Sequence, residues 1–230
     1  LFPFLVGNLD DSLPEMRSIT CWVLSRYCRL FADIYNNNSS EAQPSSSQSV
    51  SIPAEQGVQL YLKTLEVIVG RMFDPHVKVQ VAACSALCIL IDNSFTVYNE
   101  ATSEESNILS AHTVTLFSAI AHAFDHYGVK SSLLLVDMIG NLADTLGKQL
   151  ATPVLSSLYL GKLMSKFFAI EDDGDMRIFP FLECFTSLLS QIGMEAREFI
   201  PFIFERCLRL LHKTLLPLKR QLSQIGRAHV

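Results

Sequence analysis

The 230-residue sequence has little charge and few helix-breaking residues: 18% of its residues are charged, and it contains 10 glycines and 9 prolines. Because 49% of the residues are hydrophobic, the composition excludes a largely disordered chain and a collagen-like one. Basic residues are outnumbered by acidic ones, 18 to 23, so a nucleic-acid binder that relies on bulk electrostatic attraction is disfavoured. A weakly acidic surface suits a basic protein partner instead.

Motifs that carry enzyme chemistry are also missing. The sequence has no phosphate-binding loop, glycine-rich dinucleotide turn, nucleophile elbow or zinc-protease motif. Its 6 cysteines form no C-x-x-C pair and lie in apolar, helix-like contexts, which is typical of free buried thiols rather than disulfides or a zinc site. We therefore expect neither a cofactor nor an enzyme.

One histidine pair has a spacing that suits a metal. His122 and His126 are four positions apart, so both would project from the same helix face. A third ligand is not evident nearby, and we favour the alternative of two histidines at the end of a helix beside a turn. A metal-dependent enzyme remains a rival hypothesis, which predicts stoichiometric metal in the purified protein.

No stretch of the sequence is predicted to insert into a membrane. The longest uncharged stretch, 106–124, contains an asparagine, two histidines and several serines and threonines. We predict that it forms a helix packed inside the protein.

Apolar residues recur at three- and four-residue steps through most of the chain, whereas the alternating pattern of β-strands is nearly absent. Acidic or glycine-bearing turns separate the predicted helices, and an aspartate before a helix can cap its free N–H groups. These turns fall at 10–11, 74–75, 125–128 and 172–175. The apolar sets are Ile19, Val23, Tyr27 and Leu30; Leu62, Leu65, Val69 and Met72; and Leu135, Ile139, Leu142 and Leu146. The chain is therefore predicted to be all-α.

The acidic turns recur about every 50 residues once the polar run at 36–54, predicted to be a flexible Ser-rich loop, is set aside. This period indicates an α-solenoid of HEAT repeats, in which antiparallel helix pairs stack into a superhelical arch. The first helix of each pair would face outward and the second would line the concave side. We place about four and a half repeats in 1–224, at 1–35, 55–94, 106–147, 153–194 and 195–224. Residues 225–230 look like a translated sequencing adapter and are left out of this prediction.

Acidic residues mark the predicted second helices. Asp137 and Asp144 are two helical turns apart and share one face, while Asp92 and Glu183 fall on the preceding and following second helices. Stacking would align them into an acidic strip that attracts Arg or Lys from a partner. The alternative is that each is a solvated or capping acid of a surface helix.

The single tryptophan also lies on a predicted second helix. Trp22 shares a stripe with Ile19 and Arg26. An exposed stripe of this composition would anchor an extended peptide, because aromatic and arginine side chains dominate binding hot spots. A core tryptophan between repeats is the open alternative.

Four segments together resemble the transportin family of nuclear import receptors, the karyopherin-β2 branch of the importin-β family. The resemblance follows the family's order over nearly all of 1–216 apart from the Ser-rich loop, and corresponds to the middle of the superhelix. The segments are Arg17–Tyr27, Val79–Ala86, Asp137–Asp144 and Phe179–Cys184.

This resemblance implies a non-enzymatic carrier that shuttles between cytoplasm and nucleus. Its cargo would be proteins with a basic proline–tyrosine nuclear localisation signal, released when Ran-GTP binds the full-length receptor. Nucleoporins would be further partners, with neither direct nucleic-acid binding nor membrane insertion. A structural HEAT scaffold without linear-signal recognition is the alternative.

The resemblance also assigns residues. Ile19, Trp22 and Arg26 match positions around the proline–tyrosine end of the signal. The acidic positions that receive its basic side chains are matched by Asp92, Asp137, Asp144 and Glu183. The family has a run of glutamates where 90–93 keeps one acid, and Val81 replaces another acid, so this part of the electrostatic site would be weaker or shifted.

Overall fold

The computed structural model describes residues 1–39, 53–99 and 103–228, with side chains over 1–36, 53–98 and 103–216. Helices dominate these ranges. In chain order they are α1 (Phe2–Asn8), α2 (Pro14–Arg26), α3 (Cys28–Ser39), α4 (Ala54–Arg71), α5 (Val77–Asp92), α6 (Thr113–His126), α7 (Val129–Leu146), α8 (Pro153–Phe168), α9 (Ile178–Ile192) and α10 (Ile200–Ala228). Short 3₁₀ turns precede α6 and follow α7 and α9.

The helices form two layers. Helix α2 packs against α5, α5 against α7 and α7 against α9, and we call these four helices the second-helix layer. The first-helix layer consists of α4, α6 and α8, of which α4 lies on α5, α6 on α7, and α6 and α8 touch each other. This architecture confirms the predicted all-α stack of helix pairs, whereas the individual repeat boundaries stay a prediction.

A short hairpin interrupts the helical pattern. Strands β1 (Thr96–Asn99) and β2 (Glu104–Asn107) pair antiparallel, with Thr96 opposite Asn107. The prediction that 106–124 is one helix is therefore wrong at its start, and α6 begins only at Thr113. The Asn107 side chain donates a hydrogen bond to the Ser94 hydroxyl and accepts one from the Leu109 amide, and these bonds hold the connection outside a helix.

The predicted loop at 36–54 is shorter than expected. Helix α3 runs on to Ser39, so the first four residues of the predicted loop are helical. Polar residues such as asparagine do not end a helix unless the backbone finds a competing partner. Residues 40–52, on which the rest of that prediction falls, lie outside the described part of the chain.

The core lies between the two layers. In α7, all four residues of the predicted apolar set, from Leu135 to Leu146, are buried. The first apolar set is helical as predicted, but its members Ile19 and Leu30 are exposed. The apolar side chains buried from this region are Cys21, Leu24, Cys28 and Phe31. Helix α2 has apolar residues on two faces, and periodicity alone does not decide which face packs.

Two of the predicted capping aspartates have other roles. Asp74 is buried, and its carboxylate accepts two 2.8 Å hydrogen bonds from the Arg17 guanidinium of α2. Asp125 lies inside the last turn of α6 and pairs with Lys162 of α8. Both aspartates therefore join neighbouring helix pairs instead of capping a helix.

Among the described residues, no helix combines the length and the apolar character that crossing a bilayer requires.

Candidate peptide-binding surface

Helix α2 presents the tryptophan stripe because its other face is fixed in the core. The helix begins with Pro14 in its first turn and carries Glu15 there, both favourable at a helix N-terminus. Cys21 and Leu24 are fully buried, so the opposite face of α2 points to solvent. The stripe Ile19, Trp22 and Arg26 lies on that exposed face.

Trp22 is an accessible side chain. It is 55% exposed and Ile19 is 57% exposed, so neither side chain belongs to the core of the described chain. The guanidinium carbon of Arg26 lies 5.1 Å from the centre of the Trp22 ring, within the range of a cation–π contact. The three predicted residues thus form one contiguous, partly apolar and cationic surface.

The four predicted acids are exposed on the next three helices of the same layer. Asp92 ends α5, Asp137 and Asp144 lie on α7, and Glu183 lies on α9. Partial burial, and then the charge of Asp144, raises the pKa of Asp92. Partial burial, and then the charge of Glu183, raises the pKa of Asp137. The acids therefore interact across helix boundaries as two pairs, Asp92 with Asp144 and Asp137 with Glu183.

Close packing of α7 and α9 brings the carboxylates of Asp137 and Glu183 near each other. A Cβ atom added to Gly140 would lie 3.6 Å from Cα of Cys184, an ordinary contact distance. On the same interface, the Ser187 hydroxyl donates a 3.0 Å hydrogen bond to Asp144 Oδ2. A small residue on α7 therefore lets the acid-bearing faces of the two helices lie side by side.

The thiols below this surface are free, as predicted. Cys88 is half-buried between the acids and the core. Burial, the neighbouring Cys84 and then Asp137 and Asp92 raise the pKa of Cys88 to about 12. Burial also raises the pKa of Cys184, with further contributions from Asp137 and Asp144. These thiols are protonated at neutral pH and are packing groups rather than nucleophiles.

A notch of about 470 Å³ connects the tryptophan stripe with the acids. It lies where α2 gives way to α3, against the C-terminal end of α5, and both Arg26 and Asp92 line it. Arg29 and Asn93 line it too, and the prediction from sequence missed both. The available signal was proximity in the sequence, since Arg29 lies three residues after Arg26 and Asn93 follows Asp92 directly.

The rings of the histidine pair contact each other and an aromatic side chain. The His122 ring stacks against Phe73 at 5.1 Å, and the His126 ring meets the His122 ring edge-on at 4.5 Å. In the ranges that the structure describes, no group of three or more potential ligands could hold a metal ion. The rival hypothesis of a metal-dependent enzyme has no site in that part of the chain.

Comparison with known proteins gives a consistent set of relatives. No family model matches the chain. Transportin-1 of Oryza sativa is 31% identical over 208 residues, which are 90% of this chain and 20% of the relative. Human transportin-1 is 31% identical over 216 residues, 94% of this chain and 20% of the relative. Importin subunit beta-2 of Schizosaccharomyces pombe is 30% identical over 219 residues, with the same two shares.

The chain therefore spans about one fifth of the length of these relatives. Their names are those of transport receptors and not of enzymes, in agreement with the expectation of a non-enzymatic chain.

Proposed function

The chain is related to the transportins over at least nine-tenths of its length, and from this relationship we propose that it is a segment of a nuclear transport receptor that binds protein cargo. The cargo would carry a basic proline–tyrosine nuclear localisation signal. In the whole receptor, Ran-GTP would drive release, nucleoporins would be further partners, and the protein would shuttle between cytoplasm and nucleus.

A single observation carries this proposal. The layer that exposes Trp22 beside Arg26 also exposes four carboxylates in two pairs on the following helices. An aromatic anchor followed by acids is complementary to a peptide with an aromatic residue at one end and basic residues along the rest. A scaffold with no linear ligand has no use for such an arrangement on an exposed face.

The packing of the two layers supports a concave position for this surface. The four helices of the second-helix layer pack in an unbroken row. In the first-helix layer, a mainly apolar cleft of about 450 Å³ separates α4 from α6, with Leu62 and Leu116 among its lining residues. A stack that is closed on one side and open on the other bends towards the closed side, so the peptide would lie inside the arch.

Recognition would combine several moderate contacts. Adjacent carboxylates repel each other while the site is empty, and an Arg or Lys placed between Asp137 and Glu183 would relieve that repulsion. The indole of Trp22 and the side chain of Ile19 would supply apolar area at the aromatic end. Ordering a disordered peptide costs free energy, so the affinity depends on contacts spread over several helices.

Calorimetric titration of the chain with a basic proline–tyrosine peptide tests the proposal. We expect Trp22→Ala to weaken binding about 30-fold, as removal of an aromatic hot spot does. Asp137→Lys should weaken it about 10-fold, because it replaces an attraction for the peptide's cations by a repulsion.

Matched controls are Tyr98→Ala, which removes an exposed aromatic side chain from the hairpin, and Glu171→Lys, which makes the same charge change after α8. Both should bind as tightly as the unaltered chain. Unchanged affinity in both Trp22→Ala and Asp137→Lys would refute the proposed surface.

A further inference from the structure

The notch at the junction of α2 and α3 has a chemical character that the acidic surface lacks. Two guanidinium groups, of Arg26 and Arg29, line it together with the carboxylate of Asp92. Arg26 ends α2 and Arg29 lies in the first turn of α3, so the two guanidinium groups line the notch from both sides of the junction. The notch thus offers several N–H donors close together at the edge of the second-helix layer.

One of the two arginines is held in place. Nε of Arg29 donates a 2.8 Å hydrogen bond to Oδ1 of Asn93, and the Asn93 side-chain amide donates to the carbonyl of Ile89 at 2.8 Å. The Asn93 amide is therefore fixed by the end of α5 and in turn fixes the guanidinium. Within the described ranges, Arg29 donates through Nε alone, so its terminal N–H groups are available to a ligand.

The available donors are not taken up by the neighbouring acid. Among the described residues, neither arginine makes an ion pair with Asp92, although all three line the same notch. Burial and Asp144 raise the pKa of Asp92, with no opposing effect from an arginine. The guanidinium of Arg26 instead lies over the Trp22 ring. Both arginines thus keep donors free for a ligand.

We infer that this notch binds an anionic group of the cargo peptide, a carboxylate or a phosphate, through Arg26 and Arg29. A guanidinium presents paired N–H donors that match the oxygens of either group. The inference rests on the proposed function, because it is the aromatic anchor at Trp22 that brings the peptide to the notch. Asn93 is a positioning residue, since it acts by holding Arg29.

The position of the notch sets where the anion lies in the peptide. Arg26 follows Trp22 by four positions of α2, which is about 6 Å along the helix. An extended peptide covers that distance in about two residues. The notch lies between Trp22 and the acids that would receive the basic residues, and these residues precede the tyrosine, so the anion lies about two to three residues before the tyrosine.

Peptide pairs with the intact 230-residue chain test this inference. One set carries a single Glu at the second, third or fourth position before the tyrosine, a second set carries phosphoserine there, and a reference set carries Gln. We expect the Glu peptide of the right spacing to bind about fivefold more tightly than its Gln counterpart, the size typical of an exposed charge pair. A gain seen only with phosphoserine would identify phosphate as the group bound.

The gain must also depend on Arg29. Arg29→Ala should abolish the difference between the Glu and Gln peptides, and Arg29→Lys should restore part of it. Arg197→Ala, an exposed arginine ahead of α10, is the matched control and should keep the full difference.

The outcomes separate the two proposals. If Gln peptides bind and Asp137→Lys weakens them, but no anionic peptide gains affinity at any of the three positions, the notch assignment is wrong and the proposed function stands. A gain that survives Arg29→Ala also overturns the assignment. If no peptide of any set binds, the proposed function fails, and the notch assignment fails with it.

Discussion

At the residue scale, the ion pair between Arg17 and Asp74 shows how neighbouring helix pairs are joined. Its partners come from α2 and from the turn between α4 and α5, and Asp74 also accepts a 2.9 Å hydrogen bond from the His76 amide. Burial raises the pKa of Asp74, but hydrogen bonds from Arg17 and His76 outweigh that effect, and the pKa lies below its ordinary value. The carboxylate is therefore ionised over the whole physiological range.

Asp74→Asn should destabilise the chain, because it leaves the buried guanidinium of Arg17 without its counter-charge. We expect the midpoint of thermal unfolding to fall by about 5–10 °C at pH 7. The folded-state pKa of Asp74 is depressed, so its contribution is present above the unfolded-state pKa and is lost as the pH falls through the folded-state value. The difference between variant and unaltered chain, followed by circular dichroism, should therefore shrink towards pH 3. A difference that is the same at pH 7 and pH 3 would contradict the assignment.

In the acid pairs of the candidate peptide-binding surface, the pKa values of Asp92 and Asp137 are shifted in the opposite direction from that of Asp74. The pKa values of Asp92 and Asp137 are raised in the fold, so these groups begin to take up protons at a higher pH than an isolated aspartate does. Protonation removes the charge that attracts the basic peptide. Affinity should therefore fall by several-fold between pH 7 and pH 4.5, a window in which Asp74 stays ionised. The free energy of unfolding should rise over the same fall in pH, because protonation of these two acids relieves the repulsion between neighbouring carboxylates.

Calorimetry at the two pH values checks this expectation. Replacing both Asp92 and Asp137 with Asn should weaken binding at pH 7 and flatten the pH profile. Trp22→Ala should lower affinity equally at both pH values, since the indole does not titrate. A profile as steep in the double variant as in the unaltered chain would assign the pH dependence to other groups.

At the scale of the element, α3 and α4 approach more closely than side chains normally permit. A Cβ atom on Gly57 would lie 2.6 Å from the carbonyl oxygen of Phe31. That oxygen belongs to the backbone and has no rotamer with which to move aside. Gly57 therefore sets the distance between the two helices.

Gly57→Ala should lower the free energy of unfolding by about 1–3 kcal/mol, because the helices must separate to admit the methyl group. Gly161→Ala in α8 is the matched control, since nothing lies within 4 Å of its added Cβ. The control should raise the free energy of unfolding by about 0.5–1 kcal/mol through helix propensity. Chemical denaturation measures both changes. Equal effects in the two variants would show that propensity alone decides.

Sequence patterns predicted the type of each element better than its limits or its packed face. The apolar set of α7, from Leu135 to Leu146, is buried throughout because that helix is packed on both sides, between α5 and α9. Helix α2 has a neighbour of its own layer on one side, α5, so its second apolar face, with Ile19 and Trp22, remains exposed. Which face packs depends on the neighbour, and a local period does not contain that information.

Because a local sequence pattern contains no information about neighbouring helices, only part of the candidate surface was predictable. Spacing placed Asp137 and Asp144 on one face, because both lie on one helix. The couplings between Asp92 and Asp144 and between Asp137 and Glu183 depend on how three helices are staggered. Arg29 gains its role from Asn93, which lies 64 positions away in the sequence.

At the scale of the whole molecule, the second-helix layer is one continuous row of packed helices from α2 to α9. Its row of contacts is unbroken, whereas the first-helix layer is parted between α4 and α6. On the proposed function, a peptide that crosses the layer would meet an aromatic anchor first and carboxylates afterwards. Binding would thus be a property of several stacked helix pairs and not of any single one.

Trp22 is the only tryptophan in the sequence, so its fluorescence reports on this surface directly. The decisive measurement is a titration of the 230-residue chain with a basic proline–tyrosine peptide, followed by tryptophan emission. The account predicts a saturable change in emission for the unaltered chain, and a curve shifted to about tenfold higher peptide concentration for Asp137→Lys. Emission that does not respond to the peptide, or a curve that is the same in both proteins, would contradict it.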